Sequence, residues 1–241
     1  NRDYARGIFE QLFKACVVAG PLANDDTSIH RIHQSGIPYI ALGRLDSLPE
    51  CSSATVDYVE GAYLSTKFLL DRGHTRIAML KGFHGYQPGV ERIRGYRKAL
   101  EEAGILFDEN LIRAVNFGSR NIANMVYRLL ADPTVTALID CSAVQDGASL
   151  REGMRRAGRT PGKDVDVVTW TYDERAAVLA EAVAHVWLPV REAAAEGIEQ
   201  LGEWTAGVRQ GPIKVIYRPV LDTEPKIGEA PKPKRLFDLL E

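Results

Sequence analysis

The sequence predicts an α/β protein of two lobes, each built on a parallel sheet with helices on both faces. Three observations predict it. Short apolar runs alternate with helical periodicities along nearly the whole chain, the order that parallel sheets and crossover helices require. The runs are apolar on consecutive residues rather than on every second one, as strands buried on both faces must be. At 241 residues the chain exceeds the usual span of one domain, so two lobes are expected.

The elements follow in order. Ala5, Ile8, Phe9, Leu12 and Phe13 repeat at helical spacing, and "CVVAG" (16–20) is a short buried strand turned by Pro21. Asp25 or Asp26 caps a short helix carrying Ile29 and Ile32, which Gly36 ends. "IPYIAL" (37–42) is a strand, and a proline-bearing polar loop runs on to "SATV" (53–56). Val59, Ala62, Tyr63, Thr66, Leu69 and Leu70 mark one face of a helix closed by Gly73, and "RIAML" (76–80) is a strand apolar on both faces. A glycine-rich loop, "KGFHGYQPG" (81–89), precedes a helix that buries Ile93, Tyr96, Leu100 and Ala103 and stops at Gly104.

The second half repeats the rhythm. "IRAVN" is a strand, and Ser119 is the N-cap of a helix through Ile122, Met125, Val126, Leu129 and Leu130 that Pro133 ends. "TALID" (136–140) is a strand, followed by a helix from about 144 to 157 and the strand "VDVVTW" (165–170). A short helix follows Asp173. "AHVWL" (184–188) is a strand, Pro189 opens a helix through Ala194, Ile198 and Leu201, and "IKVIY" (213–217) is the last clear strand before "RPVLDTE" and a charged, proline-rich tail.

Composition narrows the function. Thirty Lys and Arg stand against 32 Asp and Glu, a formal charge of −2. Free-standing nucleic-acid binders carry a basic footprint, because neutralising phosphates supplies most of their affinity. No run approaches the length of a membrane span, and the N-terminal stretch lacks the apolar core of a secretion signal. Cys16, Cys51 and Cys141 form no C-x-x-C pair, and Cys16 and Cys141, in apolar strand-like runs, read as buried free thiols, which suits a reducing, cytoplasmic setting. Phosphate-loop, dinucleotide, nucleophile-elbow and zinc-protease motifs are all missing from the sequence. No enzyme activity, cofactor or metal is therefore expected. His30 and His33 read as a solvated pair on a short helix, His74 as packing at a helix end, and Glu101–Glu102 as surface carboxylates.

Several stretches resemble one family. "DYVEGAYLSTKFLLDRGHTRIAMLKG" (57–82), "ERIRGYRKALEEAGI" (91–105), "SGIPYIALGR" (35–44), "TALIDCSAVQDGASLREGMRRAGRTPGKDVDVVTW" (136–170) and "VWLPVREAAAEGIEQL" (186–201) are similar, in order and spacing, to segments of the lactose-repressor (LacI) family of bacterial transcriptional regulators. The resemblance runs from about residue 16 to about 224 and is specific only jointly. It implies the two-lobed periplasmic-binding-protein-like fold with three interlobe crossings, near 82–85, 186–189 and 217–220. The first lobe is then 1–83 plus 188–218, wanting its first strand, helix and strand, and the second is 84–187 plus 219–241.

The resemblance implies a function and a site. A small polar effector, a sugar or sugar acid, binds in the cleft, and closure modulates DNA binding through a helix-turn-helix headpiece that these residues do not include. A homodimer without membrane contact is implied; a transporter's solute-binding protein is the alternative. Arg92 falls on the arginine of the family's R-x-x-G-Y motif and is either a ligand-binding fork or a structural ion pair. Arg94, about 200° further round the helix, is expected on the solvated face. Phe117 is an aromatic lid or core packing, and Asp57 a cleft carboxylate or a helix cap. The family's Asn-Asp pair appears as Ala143–Val144 and its Gly-Phe-Asp as Thr169–Trp170–Thr171, which leaves Trp170 to stack and Thr171 to hydrogen-bond. Asp173 is the carboxylate that a shifted turn would restore.

Overall fold

The structure, a computed structural model, describes residues 13–20, 22–82, 85–115, 121–142, 146–172, 179–224 and 235. Two sheets organise it. The first is four-stranded, in the order β1-β2-β3-β9, from β1 (Cys16–Val18), β2 (Tyr39–Leu42), β3 (Ser53–Val56) and β9 (Lys214–Tyr217), all parallel. The second has six strands in the order β10-β8-β7-β6-β4-β5: β4 (Ile77–Leu80), β5 (Ile112–Arg113), β6 (Ala137–Asp140), β7 (Asp166–Thr171), β8 (Ala184–Trp187) and β10 (Val220–Asp222). Only β10 runs antiparallel, against β8.

Consecutive side chains feed opposite faces, which is why the strands read as unbroken apolar runs. In the first sheet Tyr39 and Ala41 pack under α1 (Thr27–Gln34), while Ile40 packs with Ala193 and Leu201 of α6 (Val190–Thr205). In the second, Ile77 and Met79 join the cluster beneath α2 (Tyr58–Asp71) and α3 (Gln87–Glu102). Ala78 and Leu80 join the opposite one, beneath α4 (Ile122–Leu130) and α5 (Gly147–Arg156).

The helix starts follow cap chemistry. Asp26, Asp57 and Asp146 each accept a hydrogen bond from a backbone N–H in the first turn of α1, α2 and α5, satisfying donors that the helix leaves open. The expected helices over 5–13 and after Asp173, and the cap at Ser119, fall outside the described residues. The glycine of R-x-x-G-Y has a packing reason: a Cβ on Gly95 would overlap the Val59 carbonyl, so α3 approaches α2 closely only because it is absent.

The expected division between lobes needs one correction. β4 was assigned to the first lobe, but it pairs in register with β6, from Ile77↔Ala137 to Leu80↔Asp140, inside the second sheet. α2 goes with it, packed on α3. The first crossing therefore lies between β3 and α2, at Asp57, not at 82–85. The chain crosses twice more, between β8 and α6 and between β9 and β10. Two crossings are tied together. Val56 pairs with Tyr217, the Asp57 N–H donates to the Tyr217 carbonyl at 3.0 Å, and Arg218 Nε donates to Glu60 at 2.8 Å.

Candidate functional site

Strands β4, β6 and β7 end together, and their carboxyl ends lead into Lys81, Ser142 and Tyr172. In open α/β sheets this edge is where ligands bind. α3 begins beside it. Its entry segment is held against the first lobe, where Tyr86 bridges Ala23 and the Gln87 N–H donates to the Leu22 carbonyl at 2.9 Å.

Arg92, on the second turn of α3, turns toward this edge and is 3% exposed. Nη1 donates to the Lys81 carbonyl at 3.0 Å and Nη2 to the Tyr172 hydroxyl at 3.1 Å. The guanidinium carbon lies 5.0 Å from the Tyr58 ring centroid and 5.2 Å from that of Trp170, within cation–π range of both. Its Nε has no acceptor, and among the described residues no carboxylate lies within ion-pair distance of it. The buried Asp140 carboxyl feels the guanidinium without bonding to it. What remains is a buried cation with an open donor, costly unless something outside the chain answers it.

The pocket around it is tight. A Cβ on Gly82 would run into Arg92 Nη1, so a glycine is required where the chain leaves β4. Burial pushes Asp140, Tyr172 and Cys141 up, the Cys141 thiol to about 12, so the thiol is un-ionised at neutral pH. Asp140 is spent on the Ser142 N–H at 3.0 Å.

The other expected site residues fall as follows. Trp170 is 2% exposed and its indole N–H donates to Ser65 Oγ at 3.0 Å. It lies in the core beneath Arg92 and braces the guanidinium from below rather than offering an open stacking wall. Thr171 ends β7, 7% exposed, its carbonyl accepting from the Leu188 N–H at a crossing. Asp57 is a cap, accepting from the Glu60 N–H at 3.0 Å, and its carboxylate also faces Arg44 at 3.8 Å. Phe117, Ala143, Val144 and Asp173 lie outside the described residues. His30 and His33 bond Ser47 and Tyr39, and among the described residues no His, Cys, Asp and Glu gather as a metal site would need.

Arg94 lies on the exposed side of α3, as expected, its side chain 50% exposed. It does not face solvent alone: both Nη atoms reach the Asp46 carboxylate of the first lobe, one of them at 3.1 Å. That hydrogen bond holds Asp46 below the usual carboxylate range. Arg94 belongs to a polar seam between the lobes. Arg44 Nε donates to Glu91 at 2.6 Å, Gln87 Nε2 to Asp46 at 2.8 Å, and Asn24 Nδ2 to Gln87 at 2.7 Å. Asn24, Arg44 and Asp46 come from the first lobe, and Gln87, Glu91 and Arg94 from α3. Glu91 is 1% exposed, and burial pushes its carboxyl up despite Arg44.

A cavity of about 320 Å³ lies at the opposite, amino-terminal edge of the second sheet, lined by Arg72, His74, Thr136, Lys163 and Asp166. Asp166 is clamped there by Arg72 at 2.7 Å and His74 at 3.0 Å, so the expected packing of His74 at a helix end includes a bond between helix and sheet. The cavity is remote from Arg92.

Two sheets joined by three crossings, with a buried cation at the strand ends beside the seam, define a two-lobed α/β domain. Residues 66–223 match the family described as periplasmic binding protein-like domain. The chain belongs to that family. It is 35% identical over 150 residues to the HTH-type transcriptional regulator CelR of Thermobifida fusca, covering 61% of this chain and 44% of that protein. To the regulator DegA of Bacillus subtilis it is 27% identical over 195 residues, 81% of this chain and 58% of that one. The solved CelR–cellobiose complex superposes with a TM-score of 0.77 at 27% identity, covering 91% of this chain and 68% of that chain. The chain spans about half the length of the curated relatives it matches. No helix among the described residues is long and apolar enough to cross a membrane.

Proposed function

We propose that this domain binds a small polar metabolite, a sugar or sugar acid, between its lobes, and that lobe closure sets the DNA affinity of a helix-turn-helix headpiece. The observation that carries it is Arg92: a buried guanidinium at the strand ends with one N–H unanswered. Likeness to a regulator solved with cellobiose supports the carbohydrate class. The proposed effector contacts are Arg92 and Thr171 with Trp170 as floor, and the family resemblance adds Phe117 and Asp57.

α3 links binding to closure. Arg92 points to the ligand edge while its neighbour Glu91 is bonded to Arg44 of the first lobe. A ligand that draws on Arg92 pulls the same rigid helix that carries the seam. Binding energy that differs between two lobe angles is what shifts their populations. A cytoplasmic homodimer, pairing two headpieces on a two-fold operator, completes the proposal.

Calorimetry tests it. A sugar acid such as gluconate is expected to bind more tightly than glucose, and Arg92→Ala to weaken that binding by about 2–5 kcal/mol, the range for truncating one partner of a buried charge pair. Normal binding by Arg92→Ala, or tighter binding of the neutral sugar, removes the charge from the argument.

A further inference from the structure

No sequence pattern singles out Tyr172, which lies one residue past Thr171, beyond the positions of the family's Gly-Phe-Asp. In the structure it hangs from Arg92. Its hydroxyl oxygen accepts from Arg92 Nη2 at 3.1 Å. A phenol that accepts still has its own O–H to give, and among the described residues none takes it. Nε and Nη2 form one edge of the guanidinium fork, so the unpartnered Nε–H is next along that edge to the nitrogen that holds Tyr172.

We propose that Tyr172 is a specificity-determining residue of the effector site, its O–H and the Arg92 Nε–H forming a two-donor clamp that selects an anionic oxygen group, a carboxylate or phosphate, over a neutral hydroxyl. The proposal rests on the reading of the cleft as an effector site. The chemistry follows from hydrogen-bond capacity. A carboxylate or phosphate offers acceptors only, one for each donor of the clamp. A sugar hydroxyl offers an acceptor but brings a donor of its own, and a buried donor left unpaired opposes binding. Among the described residues no carboxylate lies within ion-pair distance of Arg92; the Asp140 carboxyl feels the guanidinium but is pushed up by burial and bonded to the Ser142 N–H, so an anion entering here supplies a directly paired countercharge. Tyr58 and Trp170, in cation–π range, fix the guanidinium plane so that the clamp keeps its direction. Tyr172 thus stands in for part of a fork: it extends Nη2 by one hydrogen bond and widens the gap the anion must span.

Tyr172→Phe tests the clamp, because it keeps the ring and removes only the hydroxyl. The probes are glucose, gluconate, glucose 6-phosphate and inorganic phosphate. Affinity is read by calorimetry. The Arg92 Nε–H resonance is read by NMR and assigned by its loss in Arg92→Lys. The wild-type chain is expected to prefer at least one of the two sugar anions to glucose about ten-fold, with the Arg92 Nε–H signal moving. Tyr172→Phe is expected to lose most of that preference, about the effect of one hydrogen bond to a charged group. Gluconate against glucose 6-phosphate separates carboxylate from phosphate. Inorganic phosphate alone shows whether the clamp needs the sugar. If Tyr172→Phe keeps the wild-type preference, the role of Tyr172 is overturned while the effector site stands. If glucose binds and no anion moves the Arg92 signal, the clamp is overturned and the sugar reading survives. If no probe binds and the Arg92 signal stays still, both are overturned.

Discussion

Arg44→Ala should destabilise the protein by about 2 kcal/mol, and the reason lies in what it strands. Glu91 is 1% exposed and accepts from Arg44 Nε at 2.6 Å, while the Arg44 side chain is 30% exposed. Removing one partner of a fully buried pair costs about 3–5 kcal/mol, and an exposed pair is worth about 0.2–1 kcal/mol. Water reaches the Arg44 side, and Gln87 Nε2 still lies 3.2 Å from the Glu91 carboxylate, so the loss should fall between those ranges. The pH dependence has a definite sign. Burial already raises the Glu91 carboxyl, and losing Arg44 raises it further. A carboxyl whose folded pKa lies above its unfolded one gains folding stability as pH falls. The deficit of Arg44→Ala should therefore shrink on going from neutral to mildly acidic buffer. Urea unfolding of wild type, Arg44→Ala, Glu91→Gln and the double variant reads this out. Glu91→Gln should cost less than Arg44→Ala, since it strands no charge, and the cycle should show coupling of about 1–2 kcal/mol. A cost for Arg44→Ala below about 0.5 kcal/mol, the range of ordinary surface changes, would refute the reasoning. So would a deficit that grows as pH falls.

Further expectations concern single elements and the assembly. Asp57→Ala should lower stability by about 1 kcal/mol through loss of the α2 cap, seen as a lower melting temperature; an unchanged melting curve would mean the cap is replaced by water. Sedimentation at micromolar concentration should give about twice the chain mass, and a clean monomer across that range would count against the dimer. With a formal charge of −2, this chain should show no sequence-selective DNA binding tighter than about micromolar at physiological salt, where non-specific binding already reaches roughly 10⁻⁴–10⁻⁶ M. A selective shift below that would place a DNA-reading surface within these residues.

Much of the fold was legible because its signals are local. Each strand is a short run apolar on both faces, and each helix carries a stripe and a capping or closing residue. Which lobe owns a strand is another matter. β4 looks the same whether it joins one parallel sheet or the other, and only its register with β6 decides. Arg92 was legible through the motif around Gly95. The partner of Arg94 was not, because Asp46 lies 48 residues away, and the Arg44–Glu91 bond spans 47. Helical periodicity says which side of α3 a residue takes, not what the other lobe brings against it. Trp170 kept its expected neighbourhood but not its exposure, since Ser65 and Gly61 of α2 close over it. Tyr172 carried no pattern at all, and only the distance to Arg92 singles it out.

The bonded pair of crossings has a consequence for motion. Three independent struts would let the lobes twist, shear and rock against each other. Here Val56 and Asp57 are laced to Tyr217, and Arg218 is clasped by Glu60, so two struts move as one plank. With the third at Leu188 to Val190, the pair leaves a single axle, and rotation about it is the soft coordinate. If the cleft holds an effector as proposed, a pull at Arg92 has one direction in which to be spent, and the angle between lobes would be close to a one-dimensional readout of it.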